Sequence, residues 1–130
     1  MSITDLRDFL DLLDEHDELQ RIRMEIDWNL EMGAITRRCY DLGAAAALFE
    51  NIKGYPKGFR ALGAPLGASR RRGHSLFART ALALGMGPSA SAKEIMLTYL
   101  ERKEKPIKPI TVKSGPCKEN ILLGDDFPAS

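Results

Sequence analysis

"LRDFLDLLDEHDELQRIRMEID", residues 6–27, changes its hydrophobic period halfway along, and that change decides the fold class. Leu6, Phe9, Leu10 and Leu13 recur at i, i+3, i+4 and i+7, with Asp5, Asp8, Asp11 and Asp14 on the other positions. This spacing predicts an amphipathic helix whose early acids suit the positive end of the helix dipole. From Leu19 the period becomes two. Ile22, Met24 and Ile26 alternate with Arg21, Arg23 and Glu25, which predicts a half-buried strand.

Working outward, Asp27 or Asn29 offers a cap for a second helix, with Met32, Ile35, Cys39 and Leu42 as its buried stripe and Gly43 as its stop. Cys39 reads there as a small core hydrophobe rather than a reactive thiol. "AAAALFENI" (44–52) is a short apolar run bounded by glycine and by "KGYPKG", so it suits a buried strand. "FRALGAPLG" (59–67) should pair near it. A helix is expected from about Ser69 to Leu84, with Phe77, Ala81 and Leu84 on one face and Gly85 closing it. Ser91 and Glu94 form a capping box that opens a further helix through Met96, Tyr99 and Leu100. Prolines at 106, 109 and 116 then exclude helix and predict an extended connector. The expected fold is α/β (α+β): a small mixed sheet covered by helices over residues 1–104, followed by an extended proline-containing arm, 105–130.

Composition limits the function classes. At 130 residues, 44% hydrophobic and 28% charged, the chain suits one globular domain. No run approaches the roughly 18 to 20 apolar residues of a membrane span. The acidic, helical opening does not read as a signal or transit peptide. Two cysteines, Cys39 and Cys117, are too few for a disulfide framework, so a reduced, cytoplasmic setting is expected. Residues 1–31 carry ten acids against three arginines, and the remainder carries sixteen basic residues against eight acids. An acidic helix beside a basic body is the plain reading, and an acidic partner for the body is the sharper one.

Chemistry-bearing motifs are sparse. His16 should flank the end of the first helix, and His74 sits in "RRRGHS". Either would have to meet Cys117 in space to make a nucleophilic dyad. No H-x-x-x-H, H-E-x-x-H or C-x-x-C spacing exists, and Asp125 with Asp126 supplies too few oxygens for a hard cation. "GAPLGASRRRGHS" (63–75) is the best candidate for anion contact, through its glycines, a helix start and Arg70, Arg71 and Arg72. It matches no phosphate-binding motif, and a solvated basic turn is the better reading. Three arginines without an aromatic platform make nucleic acid an unexpected partner. Pro106 and Pro109 have P-x-x-P spacing, but a stiff spacer is the better reading of "KPIKP". In "PCKENILLGDD" (116–126), Ile121, Leu122 and Leu123 precede a turn at Gly124, Asp125 and Asp126. Apolar residues there need covering, so the tail reads as a strap leading to more protein.

Taken together, "DLRDFL" (5–10), "ELQRI" (18–22), "DWNLEMGAITRR" (27–38), "ALFENIKGYPKGFRALG" (47–63), "ASRRR" (68–72), "ALALG" (81–85) and "PCKEN" (116–120) resemble the beginning of UbiD-type decarboxylases, in order and over nearly the whole chain. "FENIKGYP" is most similar to members acting on hydroxylated aromatic acids. The resemblance implies a parent enzyme that reversibly decarboxylates aromatic or α,β-unsaturated acids with prenylated FMN, manganese and potassium. In the family those groups and the Glu–Arg–Glu acid–base set lie in a central flavin-binding domain that begins after this region. Accordingly, no catalytic, cofactor-binding or metal-binding residue is assigned to this chain. It is expected to cover the flavin domain, in a parent that forms a homo-oligomer. The alternative is a free-standing accessory subunit docking on a separate catalytic chain. Two departures stand out: "RRRGHSLFARTALALG" is longer and more basic than the family pattern, and "GDDFPAS" stops where the family runs on, as in a piece of a longer or split enzyme.

Overall fold

A computed structural model describes residues 3–121. Elements follow in the order α1 (Leu6–Glu15), β1 (Leu19–Ile22), α2 (Glu31–Leu42), β2 (Ala46–Phe49), β3 (Ala61–Gly63), α3 (Ala78–Ala83) and α4 (Ala92–Lys103). The three strands form one mixed sheet in the order β1-β2-β3. β1 pairs parallel to β2, Leu19 opposite Ala46 and Ile22 opposite Phe49. β3 pairs antiparallel to β2, with Leu48 opposite Leu62. The small mixed sheet covered by helices is therefore as expected.

β2 is the hub, and its four residues explain why. Successive side chains of a strand point to opposite faces. Ala46 and Leu48 enter a core with Phe9, Leu10 and Leu13 of α1 and Leu82 of α3. Ala47 and Phe49 enter a second core with Ile26, against which Met32, Ile35 and Cys39 of α2 pack. All four are buried, as a central strand covered on both faces requires. The architecture is three layers: α1 and α3, sheet, α2.

The helix ends follow from local chemistry. Asp5 caps α1, its carboxylate accepting from the backbone N–H of Arg7 and Asp8. His16 stands at the C-terminal cap, Asp17 takes a left-handed φ of 54°, and Glu18 N–H donates to Leu13 O at 2.7 Å. That is a Schellman ending, with aspartate where glycine is usual. α2 ends in the same way on Gly43, at φ 60°. Ser91 and Glu94 form the predicted capping box of α4.

Several expectations are corrected. The first strand ends at Ile22. Met24 is 69% exposed, and Ile26 rejoins the sheet only through an isolated bridge to Ile52. Leu30, at φ 69°, rather than Asp27 or Asn29, precedes α2 without a side-chain cap; Asp27 instead accepts from Asn29 N–H. On α2, Met32, Ile35 and Cys39 are half-buried and Leu42 is exposed, because only one side of the helix meets the sheet. Residues 69–77 are not helical: backbone bonds from Ser69 to Leu76 O and from Arg70 to Gly43 O hold them as a loop, and Gly73 turns at φ 84°. Phe77 is consequently exposed, and Ala78, Ala81 and Leu82 form the buried face of α3. Beyond Lys105 the arm has no sheet partner among the described residues, and Pro116–Lys118 make a turn of 3₁₀-helix rather than a crossing strand. Leu122, Leu123, Gly124, Asp125 and Asp126 lie outside the described residues.

Candidate functional site

The polar centre of the domain is Glu18, brought to the core by the Schellman turn after α1. It is 1% exposed. Its Oε1 accepts from Ser69 Oγ at 2.5 Å and lies 2.6 Å from His74 Nδ1. Its Oε2 accepts from Arg79 Nη1 at 2.7 Å. Arg79, fully buried in the first turn of α3, also donates to Ala44 O at 2.9 Å and Ala68 O at 3.1 Å. Burial by itself would push the Glu18 carboxyl up. Hydrogen bonds from Ser69, His74 and Arg79 outweigh it and hold the group below the usual carboxylate range. An ionised carboxylate only accepts, so His74 presents a protonated Nδ1 to it.

This cluster decides what the basic loop does. Ser69 and His74 are the loop's two anchors on Glu18, and Arg71 adds a third by pairing with Asp17 at 2.5 Å. No helix starts within 63–75, so the anticipated N–H cradle does not form. Two of its glycines serve packing: a Cβ on Gly67 would stand 2.6 Å from Arg79 Nη2, and one on Gly63 would stand 2.3 Å from Thr36 Oγ1. Through Ser69, Arg71 and His74 the loop is a clasp closed on an internal anion.

Of the other candidates, His16 meets His74 edge to face, with ring centroids 6.4 Å apart. His74 is spent on Glu18 rather than on a thiol, and Cys117 is exposed in the arm. Burial raises the Cys39 thiol above its usual value, which suits a packing residue. Among the described residues no group of three or more His, Cys, Asp or Glu is placed to hold a metal ion. No helix among them is long and apolar enough to cross a membrane. Glu18 and Arg79 escaped the sequence reading because each sits in a stretch that looks like surface. The available signal was a lone Arg79 between Phe77 and Ala81 on an otherwise small and apolar segment.

A second feature is the surface around α4. Ile95 is its buried residue, whereas Met96, Leu97, Tyr99 and Leu100 are 47–58% exposed. Between α4 and the body runs a groove of about 380 Å³ walled by Leu66, Ala83, Leu84, Ile95, Met96 and Tyr99.

With this geometry in place, comparison with known proteins identifies the kind of domain. Residues 10–98 match the model of the 3-octaprenyl-4-hydroxybenzoate carboxy-lyase N-terminal domain, and the chain belongs to this UbiD N-terminal family. It is 46% identical over 123 residues to ferulic acid decarboxylase 1 of Saccharomyces cerevisiae, covering 91% of this chain and 24% of that protein. It is 43% identical over 128 residues to pyrrole-2-carboxylic acid decarboxylase of Pseudomonas aeruginosa, covering 95% and 25%. Among solved structures, vanillic acid decarboxylase of Sedimentibacter hydroxybenzoicus in its closed form superposes with a TM-score of 0.71 at 29% identity, covering 92% of this chain and 24% of that one. The chain thus spans about a quarter of the length of the relatives it matches.

Proposed function

We propose that this domain is the non-catalytic N-terminal unit of a UbiD-type decarboxylase acting on aromatic carboxylic acids, with hydroxylated aromatic acids as the preferred class. The observation that carries the reading is the family match across residues 10–98, which holds both faces of the sheet, the Glu18 clasp and α3. The relatives' names support the substrate class: ferulic, pyrrole-2-carboxylic and vanillic acids are all aromatic carboxylic acids. Prenylated FMN, manganese and potassium are assigned to the flavin-binding polypeptide that follows this region in the family. This domain's part is to cover the flavin-binding portion, tethered to it or meeting it as a separate chain, and to help shape the substrate entrance. Assembly as a homo-oligomer follows from the same resemblance, and the sparse cysteines favour residence in the cytoplasm.

Activity and flavin titration of the 130-residue chain test the assignment. The expected result is neither flavin binding nor decarboxylation by these residues alone. Turnover of a hydroxybenzoate or cinnamate by the purified chain would overturn it.

A further inference from the structure

We propose that the face formed by α3, α4 and Leu66 is the seat on which the flavin-binding polypeptide docks, apolar centre against apolar groove. The inference rests on the function proposed above and adds to it which surface does the docking. The first argument is the make-up of α4. A surface helix of a closed domain keeps one apolar stripe and turns polar residues outward. α1 largely does this: Phe9, Leu10 and Leu13 face inward, Asp8 is half-buried, Asp11, Asp14 and Glu15 are exposed, and of its apolar residues Leu6 alone is exposed. α4 does not, because Ile95 points into the body while Met96, Leu97, Tyr99 and Leu100 remain about half exposed around the helix. A helix apolar around much of its circumference is one that more protein covers.

The second argument is the tether. The arm leaves from the C-terminal end of α4 at Lys105, and Pro106, Pro109 and Pro116 stiffen it. An extended proline-rich stretch advances about 3.1 Å per residue, so the eleven steps from Lys105 to Pro116 reach roughly 34 Å. The twelve residues of α4 span about 18 Å. Whatever follows the arm is therefore delivered within reach of the whole groove, at a high effective concentration. The third is charge. Arg102, Lys103, Lys105 and Lys108 outnumber Glu101 and Glu104 at the arm's end of the seat, even with Lys105 pairing Glu101 at 3.6 Å, and this excess favours a partner with an acidic rim around its apolar centre. The comparisons supply the source of such a surface, since three quarters of each matched relative lies outside the region shared with this chain.

The test grafts this chain in place of the matching quarter of the Pseudomonas pyrrole-2-carboxylic acid decarboxylase and measures thiol alkylation at single cysteines. With Cys117→Ser as background, Met96→Cys probes the seat and Asp11→Cys probes the acidic outer face. In the isolated chain both thiols should react freely. In the chimera Met96→Cys should react about tenfold more slowly or less, as in a packed interface core, with Asp11→Cys unchanged. Amide exchange across residues 92–100 of the unsubstituted chains should slow in parallel, which covers any loss of folding in the cysteine variants. An active chimera in which Met96→Cys stays as reactive as in the isolated chain overturns the seat and leaves the domain's role standing. A folded, flavin-loaded but inactive chimera with both thiols reactive overturns both. Protection of Met96→Cys in the isolated chain that grows with concentration assigns the face to a second copy and also overturns the proposal.

Discussion

Glu18 shows how one side chain organises a loop fifty residues away. Its carboxylate is buried with a buried guanidinium, an arrangement whose Coulomb gain barely repays the desolvation of two ions, yet whose disruption is costly. Glu18→Gln keeps the shape but leaves Arg79 charged and unpaired in the core. The expected loss is about 3–5 kcal/mol at pH 7, a large share of the roughly 5–15 kcal/mol that holds a domain together. Urea unfolding reads it directly; a loss below about 1 kcal/mol would mean that the clasp is ornamental. The pH dependence has a definite sign. The folded pKa of Glu18 lies below the usual value of 4.5, so its contribution is complete at neutral pH and fades as pH falls through the acid range. The difference between wild type and Glu18→Gln should therefore shrink on acidification. Little of this was legible in the sequence, because a Glu between Asp17 and Leu19 has the look of a turn residue. Only the Schellman turn swings it inward.

At the scale of elements, α2 and β3 approach closely at one glycine. Gly63 lies against Thr36, where a Cβ would stand 2.3 Å from the hydroxyl and 3.2 Å from both carbons of the side chain. Gly63→Ala should destabilise by about 1–3 kcal/mol through overpacking. Adding Thr36→Ala should restore most of it, a coupling that a double-mutant cycle of thermal unfolding would measure. Additive losses would place the strain elsewhere. α1, β2, β3 and the α4 cap were legible because their patterns are local: period, an apolar run and a capping box. The loop at 69–77 was not, since "SRRRGHSLFAR" has reasonable helix propensity apart from Gly73. Its three anchors to Asp17 and Glu18 outweigh that weak preference.

For the whole molecule, the arm and the body separate in character. Ile107 is 96% exposed and Ile110 87% exposed, so the arm adds little to either core. A chain ending at Lys105 should melt within a few degrees of the full one, since a change of 1 kcal/mol moves a domain of this size by about 4 °C. Differential scanning calorimetry measures the shift, and a loss of cooperativity would show that the arm belongs to the fold. The same exposure is why a docking role suits this end of the molecule: Met96, Leu97, Tyr99 and Leu100 on α4 and Ile107, Ile110 and Val112 on the arm that leaves it are all uncovered.

Taken by itself, the sequence determined the class of fold, the acidic outer face of α1 and the central buried strand, because each rests on local periods, and the family, because short motifs recur in order along nearly the whole chain. The tertiary structure alone decided that the basic "SRRRGHS" loop is a clasp and that α4 is apolar where it meets no neighbour. Both depend on which distant groups meet in a low-dielectric interior or fail to be covered, and local pattern carries no record of that.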